Sequence, residues 1–136
     1  MITKANIGAP YTGTGRIGDS ALAARLGREL QGQILFDPAS RGRYSTDASI
    51  YQIEPIGVVI PEGEADIVSA IQIAGDEGIP ILPRGAGTSQ CGQTVGEALV
   101  LDVSKKFSGM ISLDKENQRV TVQPGVVLDQ LNAYLK

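Results

Sequence analysis

Residues 57–82 read GVVIPEGEADIVSAIQIAGDEGIPIL. Val58-Val59-Ile60 is a continuous β-branched apolar run, the pattern of a strand buried on both faces, and Pro61 ends it. Glu64 to Glu77 follows with helical spacing. Ile67, Val68, Ile71 and Ala74 are expected on one face, Glu64 and Asp66 stand in the first turn, and Gly78 supplies the stop. Ile79 to Leu82 is the next strand. Strand, helix and strand in this order make a βαβ unit, and such a crossover implies two parallel strands with the helix covering one face of the sheet.

On the C-terminal side, Ala98 to Val103 predicts another strand. Met110 to Leu113 and Arg119 to Val122 predict a β-hairpin around Asp114-Lys115-Glu116-Asn117. Val126 to Leu135 begins a helix with Val127, Leu128, Leu131 and Leu135 on a face, and no Gly or Pro stop follows it, so the chain is expected to be a piece of a longer protein. On the N-terminal side, residues 1–18 lack apolar periodicity and are expected to form a mobile leader. Asp19 or Ser20 then caps a short surface helix with Leu22, Ala23, Leu26 and Leu30 at helical spacing and Gly32 at its stop. Ile34-Leu35-Phe36 is a brief strand, and Asp37 to Pro55 is expected to be mostly loop. The fold class is therefore α/β (α+β), with a leader and surface helix over 1–33 and a small mixed sheet built on the βαβ unit over 34–136.

The 136 residues suit one ordinary domain, and 42% hydrophobic residues rule out a disordered chain. A lone cysteine, Cys91, cannot close an internal disulfide and is expected to be buried and inert. With no histidine, the chain lacks the commonest general base and a usual zinc ligand, which removes most hydrolase and metalloenzyme classes. The absence of a membrane-length apolar run and of a signal peptide points to the cytoplasm. The net charge of −3 is uneven: residues 1–43 carry six basic and three acidic side chains, residues 44–136 six basic and twelve acidic. An acidic body with two Phe and no Trp argues against nucleic acid.

Three glycine-rich stretches resemble nucleotide loops. Gly13-Thr14-Gly15-Arg16-Ile17-Gly18 is a formal G-x-G-x-x-G, but no strand precedes it to fix the loop. Gly87 to Thr94 has P-loop spacing, but Gln93 stands where that loop needs Lys, and a strand follows instead of a helix. The third stretch, Ile79 to Gly96, leaves a buried strand at its C-terminal end, where open α/β sheets bind ligands. Gly85, Gly87 and Gly92 let the backbone approach a ligand, Thr88, Ser89 and Thr94 offer hydroxyls, and successive N–H groups make an anion nest. Arg84 is the only cation between Tyr44 and Ser104, so a phosphate here would be held mainly by backbone dipoles. A glycine-rich turn that merely redirects the chain weighs equally on composition alone.

Tyr44-Ser45-Thr46-Asp47-Ala48, Pro55 to Pro61, Pro83-Arg84-Gly85-Ala86-Gly87-Thr88-Ser89 with Gly92-Gln93-Thr94, Leu101-Asp102 and Gln123-Pro124-Gly125 together resemble the FAD-linked oxidase family. That family shares the FAD domain of p-cresol methylhydroxylase and vanillyl-alcohol oxidase. The likeness spans residues 35–136 and is strongest to D-lactate, glycolate and D-2-hydroxyglutarate dehydrogenases. The resemblance implies that the chain is the first lobe of a two-lobed FAD-binding domain. It also implies that Pro83, Arg84, Gly85, Ala86, Gly87, Thr88, Ser89, Gly92, Gln93 and Thr94 wrap the FAD pyrophosphate, with Pro124 and Gly125 close by. Covalent members carry His where Thr88 stands, which implies non-covalent FAD here.

The same resemblance implies oxidation of a 2-hydroxy acid by hydride transfer to FAD, with electrons passing to a quinone, cytochrome, Fe–S partner or oxygen. The full-length protein would be cytoplasmic or peripheral to the inner membrane. The catalytic base and any metal ligands belong to later parts of such enzymes, so none is expected here. The chain alone is expected to be inactive, to lose FAD, and to self-associate through the apolar face at Val127, Leu128, Leu131 and Leu135. A stand-alone phosphate-binding module and a protein-interaction domain remain as alternatives. For Asp47, a turn-capping role is the simpler expectation.

Overall fold

The structure, a computed structural model, describes residues 13–136. Its first element, α1 (Ser20–Glu29), starts where Asp19 accepts from the N–H groups of Ala21 (2.9 Å) and Leu22 (3.0 Å). Strand β1 (Gln33–Leu35) follows, then helix α2 (Pro38–Tyr44) within a segment expected to be loop. The signal for α2 was present: Asp37 accepts from the N–H of Ser40 at 2.9 Å, and Pro38 occupies the helix position that needs no N–H.

Strand β2 (Gly57–Ile60), helix α3 (Glu64–Glu77) and strand β3 (Ile81–Arg84) form the crossover. Gly78 ends α3 at φ 63°, a conformation that glycine adopts without strain. Strand β3 lies two residues later than expected, which puts Arg84 at its end. Strand β4 (Leu99–Asp102) inserts between β2 and β3, giving the order β1-β2-β4-β3 with β1 antiparallel and the other three parallel. The sheet is thus small and mixed, as expected. A separate hairpin, β5 (Met110–Asp114) and β6 (Arg119–Val122), precedes α4 (Leu128–Leu135), none of whose residues is buried.

One face of the sheet carries the main core. Val59, Leu99 and Leu101 pack with Leu22, Leu26 and Leu30 of the N-terminal segment and with Ala70, Ile73 and Ala74 of α3. The helix expected at the surface therefore supplies the core. Arg25 links it to α3 through Asp76 (2.6 Å) and Glu77 (2.8 Å). The expected face of α3 is corrected in part: Ile67 packs against the core, but Val68 and Ile71 are half exposed. The buried stripe is Asp66, Ala70, Ile73 and Ala74, whose small and charged members conceal it from a count of large apolar residues.

Residues 1–12 of the expected leader lie outside the described residues. Residues 13–18 pack on the body: Thr14 bonds Glu97, Arg16 bonds Glu77 at 3.0 Å, and the Gly18 N–H donates to Ile56 O at 2.8 Å.

Candidate functional site

The parallel strands end together. Arg84 and Asp102 are register partners at the last positions of β3 and β4, and Ile60 ends β2 beside Gln33 of the antiparallel β1. These ends floor an open cleft of about 550 Å³ whose walls include Gly85 and Ala86 of the glycine-rich loop, Arg43 and Tyr44 from α2, and Ser104 and Lys105 after β4. Within a body that is acidic overall, the cleft gathers Arg43, Lys105 and Arg84 against one carboxylate, Asp102.

That carboxylate is occupied. Asp102 Oδ2 accepts from the Tyr44 hydroxyl at 2.6 Å, while Oδ1 accepts from the Ser104 N–H (2.9 Å) and hydroxyl (2.6 Å). Burial, reinforced by this bond, pushes the Tyr44 phenol up to about 12, so it remains a donor at neutral pH.

Arg84 turns into the fold. It is 8% exposed, and its guanidinium donates to the backbone carbonyls of Tyr44 (3.3 Å), Thr94 (2.9 Å) and Thr46 (2.8 Å) while lying 5.2 Å from the centre of the Tyr44 ring. The loop then crosses over it. Gly87 has φ 71°, and a Cβ there would clash with the guanidinium. Farther along, the Gln93 N–H donates to the Ser89 hydroxyl at 3.3 Å, and that hydroxyl bonds the Gln93 side chain. Gly92 has φ 78° and rests on the Tyr51 ring, where a Cβ would lie 2.6 Å away. Thr88 is exposed, as is Cys91, which corrects the expectation of a buried thiol.

Thr94 closes the loop on Asp47. Asp47 Oδ2 accepts from the Thr94 hydroxyl at 2.9 Å, and Oδ1 accepts from the Ser49 N–H at 2.8 Å. Bonds from Ser49 and Thr94 hold the Asp47 carboxyl down at about 2. Asp47 thus caps a turn, as expected, and also holds the end of the loop. Pro124 and Gly125 dock on the segment after β4: the Gly125 N–H donates to Phe107 O at 2.7 Å, leaving no room for a Cβ beside Val103 and Phe107. Among the described residues, no group of His, Cys, Asp or Glu gathers as a metal site.

The model of a family described as FAD binding domain matches residues 55–136. The chain belongs to this FAD-binding domain family, and its cofactor is FAD. Over 101 residues the domain is 40% identical to D-2-hydroxyglutarate dehydrogenase of Pantoea ananatis, a match covering 72% of this chain and 10% of that protein. It is 36% identical over 110 residues to glycolate oxidase subunit GlcD of Bacillus subtilis, covering 77% of this chain and 23% of the relative. This FAD-binding domain therefore spans between a tenth and a quarter of the length of these two relatives.

Among solved structures, alkyldihydroxyacetonephosphate synthase superposes with a TM-score of 0.71 at 16% identity, over 85% of this chain and 24% of that one. A Physcomitrella patens BBE-like protein superposes at 0.68 with 24% identity, over 84% and 25%. The fold is thus that of the FAD domain in the FAD-linked oxidases, and the expected kinship with 2-hydroxy-acid dehydrogenases holds.

The sequence pointed to the loop and missed much of the cleft around it. Gln33, Arg43, Ser104 and Lys105 carry no local motif; the register of β1 brings Gln33 to the strand ends, the end of α2 brings Arg43, and Ser104 and Lys105 follow directly from β4.

Proposed function

We propose that the chain forms the pyrophosphate-binding part of a non-covalent FAD site in an oxidoreductase acting on 2-hydroxy acids. One observation carries the cofactor half of this proposal. Among the described residues, the five consecutive N–H groups from Gly85 to Ser89 donate to no protein acceptor, and they leave the carboxyl end of a parallel strand beside the cleft. Unpaired N–H groups in a glycine-bearing turn suit the oxygens of a diphosphate. Among the described residues, and apart from its chain neighbours, no atom stands within 4 Å of a Cβ at Gly85, so a ligand has room to approach that backbone. Arg43 and Lys105 supply positive charge at the cleft of a body that is acidic on balance.

When bound, FAD supplies the two-electron acceptor for hydride removed from the α-carbon of the substrate. This chain's part is to bind and orient. Thr88 has no nucleophilic nitrogen with which to tether a flavin, which supports non-covalent retention. The substrate class follows from the named activities of the relatives, a D-2-hydroxyglutarate dehydrogenase and a glycolate oxidase subunit. A quinone, cytochrome, Fe–S protein or oxygen would then take up the electrons.

The test is amide-resolved NMR of the chain titrated with ADP and, separately, with riboflavin, which lacks phosphate. ADP is expected to shift the amides of Gly85 to Ser89 at concentrations on the order of millimolar, while riboflavin leaves them in place. Shifts confined to another surface, or equal responses to both compounds, would refute the diphosphate assignment.

A further inference from the structure

We propose that Arg84 and Asp47 are positioning residues that hold the Gly85–Thr94 loop in a ligand-ready shape by tying it to the segment Tyr44–Ala48. This inference rests on the FAD reading for its consequence, but not for its geometry. The loop is fastened to that segment at three points along its length. At its start, Arg84 bonds Tyr44 O (3.3 Å) and Thr46 O (2.8 Å), and the same guanidinium reaches Thr94 O (2.9 Å) at the loop's end. In its middle, the Ala48 N–H donates to Gly87 O at 3.1 Å. At its end, Asp47 takes the Thr94 hydroxyl at 2.9 Å and lies 3.4 Å from the Thr94 nitrogen.

None of these bonds uses the N–H groups of Gly85 to Ser89. The clamps consume the carbonyls of Gly87 and Thr94 and leave the donors free, the division of labour required of a loop that binds anions through its backbone. Arg84 is ill placed to pair with a phosphate, because its guanidinium is buried and shared among three carbonyls on two segments. Asp47 is an anion beside a site for anions. Its tolerance there is explained by the N–H and O–H donors that engage both of its oxygens. Ordering a loop before binding raises affinity by the fraction of time the competent shape is populated, so loss of a clamp weakens the ligand without removing any contact to it.

The experiment measures hydrogen exchange in the ligand-free chain at the bonded amides of Ala48, Cys91 and Gln93, because the N–H groups of Gly85 to Ser89 have no protein acceptor to lose among the described residues, together with ADP affinity. The proteins compared are wild type, Asp47→Ala, Asp47→Asn, Thr94→Val and Arg84→Lys. In Asp47→Ala and Thr94→Val, exchange at these amides should accelerate roughly five- to tenfold with β2 and β4 amides unchanged, and ADP affinity should fall in proportion to the lost closed population. Asp47→Asn should recover most of the loss, because its amide oxygen still accepts from Ser49 and its NH2 can donate to the Thr94 hydroxyl. Arg84→Lys should accelerate exchange at the same amides and weaken ADP, since an ammonium cannot span three carbonyls. Unchanged loop exchange in Asp47→Ala and Thr94→Val would overturn the proposal, as would an Arg84→Lys protein that binds ADP more weakly with loop exchange as in wild type, which would make Arg84 a ligand contact. If wild type fails to bind ADP at the loop, the FAD reading falls, and the exchange rates alone decide the positioning role.

Discussion

Removing the carboxylate of Asp66 should unfold the sheet's β1 edge before anything else. Asp66 stands in the first turn of α3, and its Oδ1 accepts from the Gln31 N–H at 2.9 Å while Oδ2 accepts from Gly32 (2.8 Å) and Glu62 (2.9 Å). One side chain thereby fastens the turn into β1 to the turn out of β2, with no space between them: a Cβ on Gly32 would collide with Ile60 O. Hydrogen bonds to a charged group contribute about 1.5–3 kcal/mol each, and water can replace part of what is lost at exposed Gln31 and Glu62, so Asp66→Ala should cost roughly 3–5 kcal/mol. Against a total of about 5–15 kcal/mol, that is a large share. Asp66→Asn keeps one acceptor and should cost about half as much.

The same site has a pH signature. Burial works to raise the Asp66 pKa, but the bonds from Gln31, Glu62 and Gly32 outweigh it and leave the carboxyl below its ordinary 3.8. A depressed folded-state value means that the stabilisation is complete above the unfolded value and disappears as pH falls through the folded one. Urea unfolding followed by circular dichroism at pH 7 and pH 3 should therefore show the gap between wild type and Asp66→Ala narrowing in acid. A difference below about 1 kcal/mol at pH 7 would refute the account of this corner.

Gly57→Ala places a Cβ inside the Phe36 ring, so a thermal melt should show a loss of about 1–3 kcal/mol, and an unchanged midpoint would mean that the ring moves freely aside. Tyr44→Phe removes the donor to Asp102 and should lower stability by about 1–2 kcal/mol, measured by urea titration; no change would show that water or Ser104 replaces it fully. Gly85→Ala should leave the melting temperature as it is while weakening ADP, whereas Gly87→Val should disrupt the loop through Arg84 even without ligand; equal ADP affinity in Gly85→Ala would remove that backbone from the site. Denaturing the flavin-loaded full-length protein should release FAD into the supernatant, and colour that stays with the precipitated chain would refute non-covalent binding.

Much of the sheet was legible because its strands are bounded by turn residues and built from β-branched runs: Val58-Val59-Ile60 before Pro61 has no competing helical interpretation. The burial pattern of α3 was not. Ala70 and Asp66 face the core because Ala lets the helix approach the sheet closely and Asp satisfies three N–H groups there, and neither role leaves a mark in hydrophobic periodicity. Helix α2 escaped for a different reason, since Asp37-Pro38 marks a helix start but the seven residues of the helix carry no apolar stripe long enough to support one.

Within the loop, Arg84 makes bonds that its residue type did not announce. From sequence, a phosphate here is expected to be held mainly by backbone dipoles, with Arg84 among the residues that the family resemblance places around the pyrophosphate. The structure turns the Arg84 charge onto three inward carbonyls, Thr94 at the loop's end and Tyr44 and Thr46 on the neighbouring segment, which would otherwise lack this donor. Those inward carbonyls need a donor with several N–H groups in one plane, and only arginine has that geometry. The glycines follow from the same constraint, since Gly87 passes over the guanidinium where any side chain would strike it. Arginine and glycine in this motif are therefore two parts of one packing solution, which leaves the N–H groups from Gly85 to Ser89 without a protein acceptor among the described residues.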